Sequence, residues 1–311
     1  STQHWTLFPY TTLFRSLMTE SPLDAMSTPT APGAAGQPLP PPTGARADLP
    51  PPRAVARTGE IAIGCRGLVR TFGQTVAVGG LDLDVPKGSF FGLVGPNGAG
   101  KTTTLSMVTG LLRPDSGTVS VLGHDVWTDP VAAKRLLGVL PDGLRLFDRL
   151  TGLQLVTYSG LLRGMDRDTV VSRAHELLGA LGLAGDASAL VVDYSAGMTK
   201  KISLACALVH APRVLVLDEP FEAVDPVSAS TIKEILDAFV DSGGTVVLSS
   251  HVMELVERLC SDVAVIAAGQ VRAVGTVDEV RGGRSLEERF VDLVGGRTHV
   301  QGLEWLRTFS D

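Results

Sequence analysis

Apolar residues fall into two rhythms along this chain. Segments around 61–65 and 76–85 carry β-branched residues at close spacing, and Phe90-Phe91-Gly92-Leu93-Val94 is apolar throughout. Short runs of this kind bounded by glycine or proline predict strands, and an unbroken apolar run predicts a strand buried on both faces. A helical run over 103–112 comes next, then a strand over 117–122 and a short one at 138–140. Between about 144 and 190 the strand signals thin out. TGLQLVTYSGLLRG and RDTVVSRAHELLGALGL carry helical spacing instead, with Val170, Ala174, Leu177, Leu178 and Leu181 on one face. Alternation then resumes as helix 198–210, strand 214–218, helix 226–240, strand 245–249, helix 252–259 and strand 262–267. Short strands alternating with longer helices predict an α/β fold, with a mostly parallel sheet wrapped by helices and the helical stretch as a separate insert.

The ends read differently. Residues 1–26 are no secretory leader, because Pro9 and Arg15 interrupt the apolar residues of HWTLFPYTTLFRSLM and no small-residue cleavage site follows. LFPYTTLFRS looks like a translated sequencing adapter, so translation is expected to start at Met18 or Met26. From Pro29 to Pro52 lie nine of the 19 prolines, in a composition too poor in apolar surface to order itself. The expected organisation is a disordered Pro-rich tail over 1–58, a folded unit over 59–295 with its helical subdomain at about 143–194, and a short tail over 296–311.

Composition narrows the classes. Hydrophobic residues make up 44 % of the 311 and aromatics only 5 %, so the core must rest on Val, Leu, Ala and Ile, as a buried parallel sheet does. With 27 Lys+Arg against 33 Asp+Glu, a net charge of −6 and no basic block interleaved with aromatics, nucleic acid is not an expected partner. Cys65, Cys206 and Cys260 are far apart and never paired as C-x-x-C, which suggests neither a disulfide framework nor a zinc site and fits a reducing cytosol. No stretch approaches the ~18–20 apolar residues of a membrane helix, so any membrane role is expected to run through a partner.

The chemistry is concentrated in a few strings. GPNGAGKTT at 95–103 follows a predicted strand and precedes a helix, the context a phosphate-binding loop needs. Glycines at 95, 98 and 100 let backbone N–H groups turn toward phosphate oxygens at a helix N-terminus. Lys101 supplies a charge to the β- and γ-phosphates, Thr102 a hydroxyl for Mg²⁺, and Asn97 and Thr103 complete the candidate contacts to ATP. Further on, Val214-Leu215-Val216-Leu217 ends in Asp218-Glu219, two carboxylates at the carboxyl edge of a sheet. Asp218 is suited to hold Mg²⁺ through its water shell, and Glu219 to act as a general base on a water.

GPNGAGKTT, YSAGM, RVLVLDEP, AVDP and SSH, in this order, resemble the nucleotide-binding domain of the ATP-binding cassette (ABC) superfamily over roughly residues 60–295. The resemblance implies a P-loop fold of the ABC type, with an antiparallel β subdomain and an all-helical insert. It also implies further roles. Phe72 matches the aromatic that stacks on adenine. Ser195 and Gly197 match the signature that meets the γ-phosphate of ATP bound to the opposite subunit. Asp225 matches the acid linking the two sites, His251 the switch histidine, and Asp142 the position where Gln usually approaches Mg²⁺ or attacking water. Taken alone, a histidine after a strand is more often structural, and most capped helices bind nothing.

Departures from the family pattern are Asp142, Ala196, Met198 and the segment Phe221-Glu222-Ala223-Val224, where Thr-x-Gly-Leu is common. None removes a phosphate ligand or the catalytic acid, so ATPase activity is expected. The resemblance implies a homodimeric ATPase subunit on the inner face of the cell membrane, powering an exporter whose permease is a separate chain. The alternative is a soluble ABC ATPase acting on ribosomes or DNA; such proteins usually carry two cassettes, a long coiled coil, zinc cysteines or a basic arm. Leu144, Leu146 and Phe147 are either ordinary core of the insert or an apolar surface suited to a short permease helix.

Overall fold

A hairpin with a two-residue turn begins the described residues. β1 (Ile61–Phe72) and β2 (Thr75–Pro86) run antiparallel, and Gly73 supplies the left-handed φ of 57° at their turn. A computed structural model of the chain describes residues 60–143 and 145–295, all within the second of two units, Pro50–Asp311. The tails expected at 1–58 and 296–311, and Leu144, lie outside the described residues.

Both hairpin strands outrun their expected lengths. Register shifts between Cys65 and Val69 bend β1 past its polar stretch, and side chains keep the irregular backbone bonded. Asp82 accepts from the Gly67 N–H and Asp115 from the Thr71 N–H, each at 2.7 Å. On the other side of β1 lies β4 (Ser116–Val121), followed by β5 (His124–Asp125), so the antiparallel sheet runs β2-β1-β4-β5. Ile63 and Cys65 pair with Val85 and Leu83 on one side and with Val121 and Val119 on the other.

The second sheet holds β3 (Phe90–Val94), β6 (Leu137–Leu140), β7 (Val214–Asp218), β8 (Thr245–Ser250), β9 (Asp262–Ala267) and β10 (Gln270–Thr276) in the order β10-β9-β3-β8-β7-β6. Only β9 and β10 pair antiparallel, and β10 follows from a tight turn in which Ala268 and Gly269 both have positive φ. Alternation divides the sheet's side chains between two cores. Phe90, Leu215, Leu217, Val246, Leu248 and Val263 face one, which includes the helical insert; Phe91, Leu93, Val214, Val216, Val247 and Ala264 face the other, which includes the antiparallel sheet. Each fully buried side chain of this size contributes about 1.5–3 kcal/mol.

Nine helices are described. They are α1 (Lys101–Val108), α2 (Pro130–Leu136), α3 (Gly152–Leu162), α4 (Arg167–Ala180), α5 (Ala196–Leu208), α6 (Pro226–Asp241), α7 (Met253–Leu259), α8 (Val277–Arg281) and α9 (Leu286–Val294). α1 begins two residues before the expected 103–112 and stops four short. Its end is set by the Thr109 hydroxyl, which donates to the Leu105 carbonyl at 2.9 Å, and by Gly110 at φ 68°. α5 begins at Ala196 rather than 198 because the Ser195 hydroxyl accepts from the Met198 N–H. In the insert, Val170, Ala174, Leu178 and Leu181 of the expected face are buried and Leu177 is half-buried.

Candidate functional site

Parallel strands aim their carboxyl ends at one edge of the sheet. β3 leads into the glycine loop, β6 into Asp142, β7 into Glu219 and β8 into His251. A cavity of about 530 Å³ opens there, lined by Phe72, residues 97–103, Asp142, Glu219, Glu222 and His251, together with Ala77. Its volume lies in the range of small-molecule sites, about 300–1,000 Å³.

The loop is held by close backbone packing. A Cβ on Gly95 would lie 2.3 Å from the Ile266 carbonyl oxygen, and one on Gly100 would lie 2.5 Å from that of Ala77. Gly98 and Gly100 have φ of 78° and 101°, so both positions need glycine for conformation as well. The N–H of Gly269 donates to the Ala99 carbonyl at 3.0 Å, tying the loop to the β9–β10 turn. Gly95 is buried and does not line the cavity, and its carbonyl accepts from Lys101 Nζ at 2.8 Å. Gly100 caps α1 without a side-chain acceptor, which leaves the first N–H groups of the helix directed at the cavity. Glycine cradle, helix terminus and Lys101 together fit a polyphosphate. Phe72 ends β1 with 49 % of its surface exposed, and the Arg70 guanidinium covers its ring at 4.9 Å from the centroid.

The catalytic segment is bonded from two strands. Ser249, opposite Asp218 in the β7–β8 ladder, donates its hydroxyl to Asp218 Oδ1 and accepts from the Glu219 N–H at 2.9 Å. Asp218 is 4 % exposed and does not line the cavity, so its reach toward a metal there is indirect. Glu219 Oε2 lies 3.1 Å from His251 Nδ1, with the glutamate side chain 14 % exposed and the histidine 50 %. Asp142 Oδ1 accepts from the Gly143 N–H at 2.8 Å and lies 3.9 Å from Lys200 Nζ.

Ser195, Gly197 and Asp225 do not line this cavity. Gly197, in the helix that Ser195 caps, lies beside Asp225 instead. Asp225 caps α6 by accepting from the Val227 and Ser228 N–H groups, and hydrogen bonds from Ser228 hold its carboxyl below the usual range. A Cβ on the buried Gly197 would come within 3.1 Å of Asp225 Oδ2. Ala223, where the family commonly has glycine, stands at φ 56°. Met198 is half-buried against the core.

Sequence reasoning passed over Ala77, Glu222, Lys200 and Ser249. Ser249 belongs to the SSH string and was legible there as part of a motif; Glu222 follows Glu219 by three residues in the segment that departs from the family pattern, and Ala77 and Lys200 carry no local signal because they reach the site through long-range folding.

Comparison with known proteins agrees with this geometry. The family profile described as ABC transporter matches residues 78–222. The daunorubicin/doxorubicin resistance ATP-binding protein of Streptomyces peucetius is 40 % identical over 220 residues, covering 71 % of this chain and 67 % of the relative. The linearmycin resistance ATP-binding protein of Bacillus subtilis (strain 168) is 36 % identical over 207 residues, 67 % of each chain. A solved ATP-binding subunit of an ABC transporter superposes with a TM-score of 0.70 at 27 % identity, over 75 % of this chain and 99 % of that one.

Proposed function

The chain belongs to the ABC transporter family as an ATP-binding, ATP-hydrolysing subunit, and from that premise we propose how its residues perform the hydrolysis and for what kind of transporter. The observation that carries the reading is the meeting of Lys101, Glu219 and His251 at one cavity, with Glu219 and His251 3.1 Å apart. Phosphate oxygens of ATP lie against the N–H groups of the 95–103 loop, Lys101 faces the β- and γ-phosphates, and Phe72 stacks on adenine with the ring face that Arg70 leaves open. Glu219 accepts a proton from the attacking water as the γ-phosphoryl group passes to it and ADP leaves, and His251 steadies that carboxylate and the transferred group. Mg²⁺ supplies charge neutralisation of the phosphates. Thr102 would hold it directly and Asp218 through water, a donor set that suits a cation keeping most of its own water shell.

Ser195 and Gly197 complete a second site, on another copy of the chain, which is why they stand away from this cavity. Substrate moves through a separate permease. Among the described residues no helix is long and apolar enough to cross a membrane. Phe147 is 52 % exposed in edge-to-face contact with Tyr158, itself 45 % exposed, while Leu146 packs inward. That pair supports the permease-docking reading of the segment over the core reading, and with it a position on the inner face of the membrane. The relatives' names, resistance to daunorubicin and doxorubicin and to linearmycin, support an exporter.

Two variants test the site. Glu219→Gln should bind labelled ATP normally and lose turnover by about 10²-fold or more. Lys101→Ala should lose the binding itself. Wild-type turnover in Glu219→Gln would remove the general-base assignment.

A further inference from the structure

Glu219 occupies a backbone conformation costly for any residue with a side chain, φ 47°. Its surroundings hold it there from both sides. The N–H donates to Ser249 at 2.9 Å. The carbonyl accepts from Lys200 Nζ at 2.9 Å and from the Glu222 N–H at 3.3 Å. Lys200 projects from α5 with its side chain only 18 % exposed, and among the described residues its ammonium pairs with the carboxylate of Asp142, at 3.9 Å. Lys200 is absent from the cavity lining, so it acts on the peptide of Glu219 and not on the nucleotide pocket.

We propose that Lys200 is a positioning residue for Glu219, pinning its carbonyl and so the direction in which the carboxylate leaves the backbone, and that Asp142 serves as the counter-charge of that ammonium. The proposal rests on the general-base reading of Glu219. A charged donor makes a stronger bond to a carbonyl than a neutral one, and a partly buried ammonium needs a nearby carboxylate. Asp142 provides it. Its short side chain, anchored on the Gly143 N–H, lies beside Lys200, and this gives the departure from Gln a physical purpose. Ser195 caps the helix that carries Lys200, so the Lys200 side chain links that helix directly to the Glu219 peptide.

Steady-state ATPase of the full chain separates the roles. Lys200→Met should lower kcat by about tenfold or more, with KM and the affinity for a fluorescent ATP analogue within about twofold of wild type. Lys200→Arg should recover much of the rate. Asp142→Asn should slow the wild type yet cost nothing further in the Lys200→Met background. An unchanged kcat in Lys200→Met, an equal loss of nucleotide affinity, additive effects of the two substitutions, or a lowered melting temperature that arginine does not repair would each overturn the proposal. Glu219→Gln runs in parallel: full turnover there sinks the general-base reading, whereas an inactive Glu219→Gln beside a normal Lys200→Met sinks the Lys200 role alone.

Discussion

Single residues far from the cavity also carry charge effects. His210 donates Nε2–H to the Leu137 carbonyl at 2.9 Å, while its Nδ1 is buried without a partner among the described residues. Burial first, and then the charge of Arg163, push its pKa from 6.5 down to about 4. An unfolded chain binds a proton at this histidine that the folded one refuses. The stabilisation is therefore complete above pH 6.5 and is lost as pH falls toward about 4. Melting temperatures of wild type and His210→Asn, compared at pH 7.5 and pH 5, should show a smaller fall in the variant; parallel falls would assign the slope elsewhere. The same scale explains what was legible in the sequence. Lys101, Thr102, Asp218 and Glu219 sit in strings where residues adjacent in sequence serve one ligand. Lys200 has no such neighbour, because a helix from elsewhere in the chain brings it to Glu219, and Glu222 reaches the cavity through the turn that its N–H closes on the Glu219 carbonyl.

At the scale of elements, strand cores and the ends of α6 and α7 were readable, and the ends of α1 and α5 were not. β7 runs over the expected 214–218 because four apolar residues stop at two acids, whereas α1 depends on a left-handed Gly100 and a back-bonded Thr109 that periodicity does not register. β10 escaped notice because, at the sheet edge, none of its residues is fully buried and it carries no unbroken apolar run, and α2 and α8 because they are short. Caps decide several of these boundaries. Thr151 accepts from the Gln154 N–H at 3.2 Å while Gln154 Oε1 accepts from the Thr151 N–H at 3.0 Å, starting α3 reciprocally. Thr151→Ala should cost about 1 kcal/mol. In a domain of this size that lowers the melting temperature by about 2–4 °C, measurable by circular dichroism; an unchanged midpoint would mean that packing of the insert alone sets the start of α3.

For the whole molecule, the separation of Ser195 and Gly197 from the cavity underlies a prediction about assembly. With Mg-ATP, Glu219→Gln should shift from monomer to a two-fold dimer in light scattering, and an unchanged mass would count against the shared site. The parallel sheet bears on more than catalysis. Phe90 and Phe91, neighbours in one strand, belong to opposite cores, as do Val216 and Leu217. The sheet is thus a party wall, and neither core has an inner surface of its own. Loosening the insert exposes the back of the strands that carry the phosphate loop, and loosening the antiparallel sheet strips their front. The nucleotide site therefore has no independently stable half to stand on, and heat should take the whole folded unit apart in one cooperative step.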